Sequence, residues 1–166
     1  MRFLSHIKRL VALATLPFVA LTLLAASPAW AEGFERQDVK IKSGGLELAA
    51  WLYLPKGASG SAKRPAVVMA HGWSAVKEMY LDKFAERFAQ AGLVVVVFDY
   101  RTFGGSQGEP RGNIIWYEQL EDYRNAITWV SARSDVDPSR IGVWGTSYSG
   151  AHVLHLAAFD KRVKTV

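Results

Sequence analysis

The sequence predicts an α/β protein, a mostly parallel sheet with helices on both faces. Three observations carry that prediction. Residues 66–70, 93–98 and 141–144 are apolar runs without polar interruption, the pattern of strands buried on both faces. Between them lie segments whose apolar residues recur at helical spacing. The two kinds alternate along the chain, as a parallel sheet with crossover helices requires.

Residues 38–42 alternate polar and apolar, residues 46–54 are apolar and aromatic, and Ser43-Gly44-Gly45 between them forms a tight turn. Together they predict an N-terminal hairpin. Residues 55–65, rich in Gly, Ser, Ala and Lys, connect it to the first buried strand. Over residues 80–91, Leu81, Phe84, Ala85, Phe88 and Ala89 share one helical face, and Gly92 ends the segment. After the valine-rich run 93–98, Gly104, Gly105, Gly108, Pro110 and Gly112 make residues 100–113 a loop. Trp116, Leu120, Tyr123, Ile127 and Val130 mark a second amphipathic helix ending near Arg133. Residues 135–140 turn into the third buried strand, residues 151–159 read as a helix-like segment, and residues 163–166 begin another strand.

The first 31 residues stand apart. Arg2, Lys8 and Arg9 precede an apolar stretch over residues 10–26, and Ala29-Trp30-Ala31 places small residues on both sides of a cleavage point before Glu32. These are the three parts of a secretory signal peptide; a retained membrane anchor is the alternative, and Pro17 and the Ala-Trp-Ala ending favour cleavage. Lys8-Arg9 is no twin-arginine pair, so the chain is expected to be exported unfolded, to the periplasm or medium. Residues 32–166 then form the domain, with no membrane association after cleavage. The chain contains no cysteine, so no disulfide holds it together.

The formal charge of +5 overstates the basic character. Of 20 Lys+Arg, three lie in the first 31 residues, leaving 17 against 15 Asp+Glu. They form no basic run, and nucleic-acid binding is not expected. Gly104-Gly105-Ser106-Gln107-Gly108 follows a strand but lacks the G-x-G-x-x-G spacing, and no Walker sequence is present. No nucleotide site is expected.

Chemistry concentrates at Gly145-Thr146-Ser147-Tyr148-Ser149-Gly150, where a buried strand runs straight into a helix. A turn this sharp forces the central serine into a strained backbone and exposes its hydroxyl, so small residues flank it two positions away. Ser147 is the candidate nucleophile. Gly145 fills the first small position, and Ser149 fills the second, where the usual pattern has glycine. An ordinary serine in a glycine-rich turn is the alternative for this hexapeptide alone. The N–H of Tyr148 points to where an acyl oxygen would become negative. A second donor comes from the loop after the first buried strand, His71-Gly72-Trp73, where Gly72 permits close approach and the N–H of Trp73 can face that of Tyr148. His71 reads as a structural residue, because the base must reach Ser147 from the other side of the hydroxyl.

Four segments together resemble the α/β-hydrolase superfamily: residues 67–72, residues 98–101 leading to Gly105-Ser106-Gln107-Gly108, residues 137–142 and residues 145–150. Ser-Tyr in the turn and the loop after Asp99 are most similar to the dienelactone-hydrolase-like and X-Pro-dipeptidyl-peptidase-like (S15) branch. The resemblance spans residue 39 onward. It implies a mostly parallel sheet of about eight strands and cofactor-free hydrolysis of an ester, amide or lactone in a small molecule or peptide. It carries Ser147 over as nucleophile and Trp73 and Tyr148 as oxyanion donors. Asp99 and Arg101 match positions that are usually structural, so Asp99 is not taken as the catalytic acid.

In this superfamily the acid and then the base follow the nucleophile along the chain. After Ser147 only His152, His155 and Asp160 remain. In a helix over residues 148–159, His155 lies about 12 Å along the axis from Ser147, and His152 points about 140° round from it. Neither is expected to serve. The acid and base are therefore expected beyond Val166, the chain is read as an N-terminal portion truncated after the nucleophile helix, and on its own it is expected to be inactive. A non-catalytic fragment that at most binds an acyl ligand or a partner is the reading from a different class.

Overall fold

The computed structural model describes residues 33–56 and 62–166; the expected signal peptide lies outside the described residues. Strand β1 (Phe34–Ser43) and strand β2 (Leu46–Pro55) form the antiparallel hairpin, with Ser43 opposite Leu46 across Gly44-Gly45. Both glycines have positive φ, 56° and 81°, the two left-handed positions of a turn whose twist matches its strands. Both strands are longer than the apolar alternation alone marked, because exposed charged residues at 35 and 36 still pair through their backbone.

Strand β3 (Arg64–Ala70), helix α1 (Leu81–Gln90), strand β4 (Val94–Phe98), helix α2 (Trp116–Ser131), strand β5 (Val136–Gly145), helix α3 (Tyr148–Phe159) and strand β6 (Val163–Thr165) follow. The sheet order is β1-β2-β4-β3-β5-β6, with β4, β3, β5 and β6 mutually parallel and β2 antiparallel to both of its neighbours, β1 and β4. Strand β5 begins five residues earlier than expected. Asp137 accepts hydrogen bonds from the Ser139 N–H at 2.9 Å and from Arg140 Nε at 2.7 Å. The Asp-Pro-Ser-Arg turn is thus a bulge between Val136, paired with Arg64, and Ile141, paired with Ala66.

Alternation across the central strands builds two layers. Ala66, Val68 and Ala70 of β3 and Val94, Val96 and Phe98 of β4 face α2 and α3, burying Leu120, Tyr123, Ile127, Val153 and Leu156. Val67, Met69, Val95 and Val97 face α1, whose Leu81, Ala85 and Ala89 recur every fourth residue. Phe84, expected on the buried face, is half exposed and stacks on Trp144 at 4.9 Å between ring centroids. Trp116, at the first residue of α2, projects into solvent beside Tyr117. From β3 the chain crosses by α1 to β4 on one side, then by α2 on the opposite face to β5 on the other side. Direction and face reverse together, so both crossovers keep one hand.

Two buried polar groupings sit within the layer under α2 and α3. Asp122 of α2, fully buried, accepts from the Arg101 N–H at 2.9 Å, Arg101 Nε at 3.0 Å and the Ser43 hydroxyl at 2.7 Å. Burial pushes the Asp122 carboxyl up and these donors oppose it. Nearby, the Tyr100 hydroxyl lies 2.8 Å from His152 Nδ1, while His152 Nε2 is buried with no partner among the described residues. Burial, followed by the charge on His155, lowers His152 to about 4.

Two measurements test this core. Replacing Asp122 by Ala leaves the Arg101 guanidinium buried without its main partner, and urea unfolding should show a loss of about 3–5 kcal/mol. His152 stays neutral in the folded protein down to about pH 4, whereas an unfolded chain takes up the proton near its ordinary value of 6.5. Stability is therefore complete above pH 6.5 and falls as the pH drops toward 4, by up to about 3 kcal/mol from this residue. The stability profile of His152→Gln should be flatter than that of the parent across that window; parallel profiles would place the proton uptake elsewhere.

Candidate active site at the ends of β3 and β5

Strands β3 and β5 pair in parallel to their last residues, Ala70 opposite Gly145, so the loops that follow leave the sheet side by side. One continues to α1 on one face and the other to α3 on the opposite face. That divergence opens a crevice at the carboxyl ends of the strands. In it sits Ser147, solvent-exposed, with φ 54° and ψ −121°. This is the left-handed backbone expected of a strained strand-to-helix turn, unusual for a residue with a side chain. A Cβ at Gly145 would overlap the Ser149 carbonyl, which explains the glycine. The second flanking position accepts a side chain. Ser149 is fully buried, and its Oγ lies 2.9 Å from the Thr146 N–H and 3.0 Å from the Ala70 carbonyl oxygen.

The expected oxyanion segments meet at this crevice. A Cβ at Gly72 would lie 3.3 Å from Ser147 Cβ and 3.8 Å from its Oγ, so the loop after β3 touches the Ser147 turn at its one side-chain-free residue. The rings of Trp73 and Tyr148 are 5.0 Å apart and nearly perpendicular, at 85°, the edge-to-face arrangement aromatic pairs prefer. Among the described residues, neither the Trp73 N–H nor the Tyr148 N–H donates to a protein acceptor. Trp73 is 62% exposed.

The histidines and Asp160 make their hydrogen bonds with groups other than the Ser147 hydroxyl. His71 is buried, with Nδ1 2.9 Å from the Gly72 carbonyl oxygen and Nε2 accepting from the Tyr100 N–H at 3.3 Å. Burial lowers its pKa, against the backbone and Asp99. It is a neutral brace for the loop, as its sequence position suggested. His152 points into the core against Tyr100, and His155 lies on the outer side of α3, 3.4 Å from Arg124 Nη2 and stacked on Phe159. Asp160 ends α3 and pairs with Arg162, whose hydrogen bonds lower its carboxyl. Among the described residues, Ser147 Oγ hydrogen-bonds to no histidine.

Asp99 has a structural position. Fully buried, it accepts from the Lys77 N–H and from Lys77 Nζ, both at 2.7 Å, and from the Gly105 N–H at 3.0 Å. Burial works to lower Lys77, but its hydrogen bonds to Asp99 and Glu78 outweigh that and raise it, so it stays charged. This pair clamps the loop after β3 to the loop after β4. Sequence reasoning did not single out Lys77: one lysine in a loop carries no pattern, and only its burial distinguishes it. The Gly-Gly-Ser-Gln-Gly stretch wraps Asp99 and leads to no helix until Trp116.

No group of three His, Cys, Asp or Glu side chains suited to a metal occurs among the described residues, nor is any described helix long and apolar enough to cross a membrane. A cavity of about 480 Å³ lies at the other end of the sheet, lined by Leu54, Lys56, Arg64, Val94 and Asp135. It lies at the amino ends of the parallel strands, far from the crevice where ligands of such sheets bind, and holds none of the residues at the turn.

Residues 44–166 match the X-Pro dipeptidyl-peptidase (S15) family. The chain is 42% identical over 129 residues to the quorum-quenching protein AidA of Acinetobacter baumannii, covering 78% of this chain and 41% of that protein. It is 44% identical over 122 residues to the thiohydrolase aneE of Aspergillus aculeatus, covering 74% of this chain and 37% of that one. Among solved structures, the α/β hydrolase GrgF from Penicillium superposes with a TM-score of 0.69 at 34% identity, over 78% of this chain and 43% of the other. The chain thus spans about two fifths of the length of the relatives it matches. Its sheet order, its strained strand-to-helix turn and these similarities agree: the chain belongs to the X-Pro dipeptidyl-peptidase (S15) family of the α/β-hydrolase superfamily.

Proposed function

We propose that this chain is the N-terminal portion of an exported serine hydrolase that forms an acyl-enzyme on Ser147. One observation supports the reading above the rest: an exposed serine held in a left-handed backbone at a strand-to-helix turn, against a glycine from the neighbouring loop. Ser147 Oγ attacks the carbonyl carbon of the substrate, and its proton passes to a base. The carbonyl oxygen, now negative, accepts hydrogen bonds from the Trp73 and Tyr148 N–H groups. The intermediate collapses, the leaving group departs with the proton, and water repeats the sequence to release the acid.

The acid and base are proposed to come from chain beyond residue 166. Two facts support this. None of the histidines after Ser147 reaches its hydroxyl, and the relatives are more than twice as long as the matched region. Residues 32–166 alone should then be inactive, because Ser147 keeps its proton. The substrates proposed are small-molecule or peptide esters, amides and lactones. The relatives named thiohydrolases, and the acetyl xylan esterase from Paenibacillus sp. R4 at 26% identity, support acyl transfer from sulfur or oxygen leaving groups. No cofactor is invoked.

In the protein expressed from its complete reading frame, Ser147→Ala should abolish labelling by a fluorophosphonate probe. Ester turnover should fall by about a factor of 10⁶. Labelling that persists would move the nucleophile elsewhere. Export is tested by mass spectrometry of the periplasmic or secreted form, which should begin at Glu32; a protein still beginning at Met1 would remove the cleaved leader from this reading.

A further inference from the structure

We propose that Ser149 is a positioning residue that sets the distance between the Ser147 hydroxyl and the Trp73 N–H; the inference rests on the reading of Ser147 as nucleophile. The pattern of such turns places a glycine here, and the side chain present instead is fully buried and hydrogen-bonded on both sides. The Thr146 N–H donates to its Oγ at 2.9 Å, and its own proton faces the Ala70 carbonyl oxygen at 3.0 Å and the Thr146 carbonyl oxygen at 2.9 Å.

These partners are the residues on which the site turns. Thr146 immediately precedes the nucleophile. Ala70 is the last residue of β3, three before Trp73. The ladder between β3 and β5 ends at Ala70 and Gly145, so past that point the two loops are free to separate unless something else joins them. Ser149 Oγ is a side-chain bridge at the very end of the ladder, reaching from the turn after β5 to the carbonyl of the last paired residue of β3. It links the β5 turn to the β3 end across 79 residues of sequence. Gly72 against Ser147 shows how little clearance there is: a Cβ there would already lie 3.3 Å from Ser147 Cβ. An oxyanion donor works within a few tenths of an ångström of its best distance. Loosening this bridge should therefore weaken transition-state binding and leave substrate binding alone. A brace of the fold alone would lower stability and leave both.

The test uses Ser149→Ala and Ser149→Gly in the protein from its complete reading frame, with Ser147→Ala as control. An alkyl boronic acid, which forms a tetrahedral adduct on a serine nucleophile, reports transition-state complementarity. Saturation labelling by a fluorophosphonate normalises each preparation to its folded sites. Both variants should lose kcat and boronic acid affinity together, by about 10- to 100-fold, with KM within about twofold of the parent. Should Ser149→Ala not fold, Ser149→Gly, the residue of the common pattern, carries the comparison. Parent values of kcat and boronic acid affinity in a folded variant, even one with a lower Tm, would overturn the proposal. A Ser147→Ala protein that still labels would overturn the nucleophile assignment, and this inference with it. A silent Ser147→Ala beside an unchanged Ser149→Ala would overturn this inference alone.

Discussion

The parallel pairing of β3 with β5 is the constraint on which the rest of the structure depends. It runs from Ala66 against Ile141 to Ala70 against Gly145, so two loops distant in sequence leave the sheet at one level. A slip of one residue would turn the alternating core positions of either strand to the wrong face, setting Val68 and Val143 against the opposite layer. The hydrophobic layers therefore fix the register, and the register fixes where Ser147 and Trp73 emerge. Gly72 and Gly145 follow from the same closeness: a Cβ at Gly145 would overlap the Ser149 backbone, and one at Gly72 would press on Ser147 Cβ at 3.3 Å.

Above that frame the loops are held by buried charge. Lys77 and Asp99 join the loop after β3 to the loop after β4, and Arg101 and Asp122 join the loop after β4 to α2 and, through Ser43, to the hairpin. Buried pairs of this kind add little net stability once desolvation is counted. What they supply here is direction: each charge is satisfied in one arrangement of its loop, and the other arrangements leave it stranded. The aromatic contacts among Tyr100, Tyr123, His152 and Tyr148 fill the space between these anchors and α3.

Much of this was legible in the chain. The buried strands announce themselves because a sheet covered on both faces needs uninterrupted apolar residues, and α1 and α2 because one-sided burial imposes the spacing of Ala85 and Ala89 or of Tyr123 and Ile127. Ser147 and Gly145 were legible because strain and crowding leave few residue choices. The exposed half of β1 was not, since backbone pairing demands no particular side chain there. Nor were Lys77 and Asp122, whose partners lie 22 and 21 residues away along the chain. The role of Ser149 lay between the two. A departure from glycine marked the position, but only the distances to Thr146 and Ala70 say what the hydroxyl does.

The distribution of backbone strain points to the same end of the molecule without reference to any motif. Among the described residues, four other than glycine have positive φ: Ser74 and Tyr80 after β3, Thr102 after β4 and Ser147 after β5. All lie beyond the carboxyl ends of parallel strands. Each such conformation costs on the order of 1 kcal/mol and persists only where its surroundings leave no alternative. Those surroundings are present. Lys77, held by Asp99, anchors the segment between Ser74 and Tyr80, while Thr102 donates from its N–H to the Gln107 carbonyl at 2.8 Å and from its hydroxyl to the Asn113 carbonyl at 2.9 Å. Ser147 is flanked by the Ser149 bridge. Side chains kept in strained positions, each beside a buried polar anchor, thus gather at the edge where β3, β4 and β5 end.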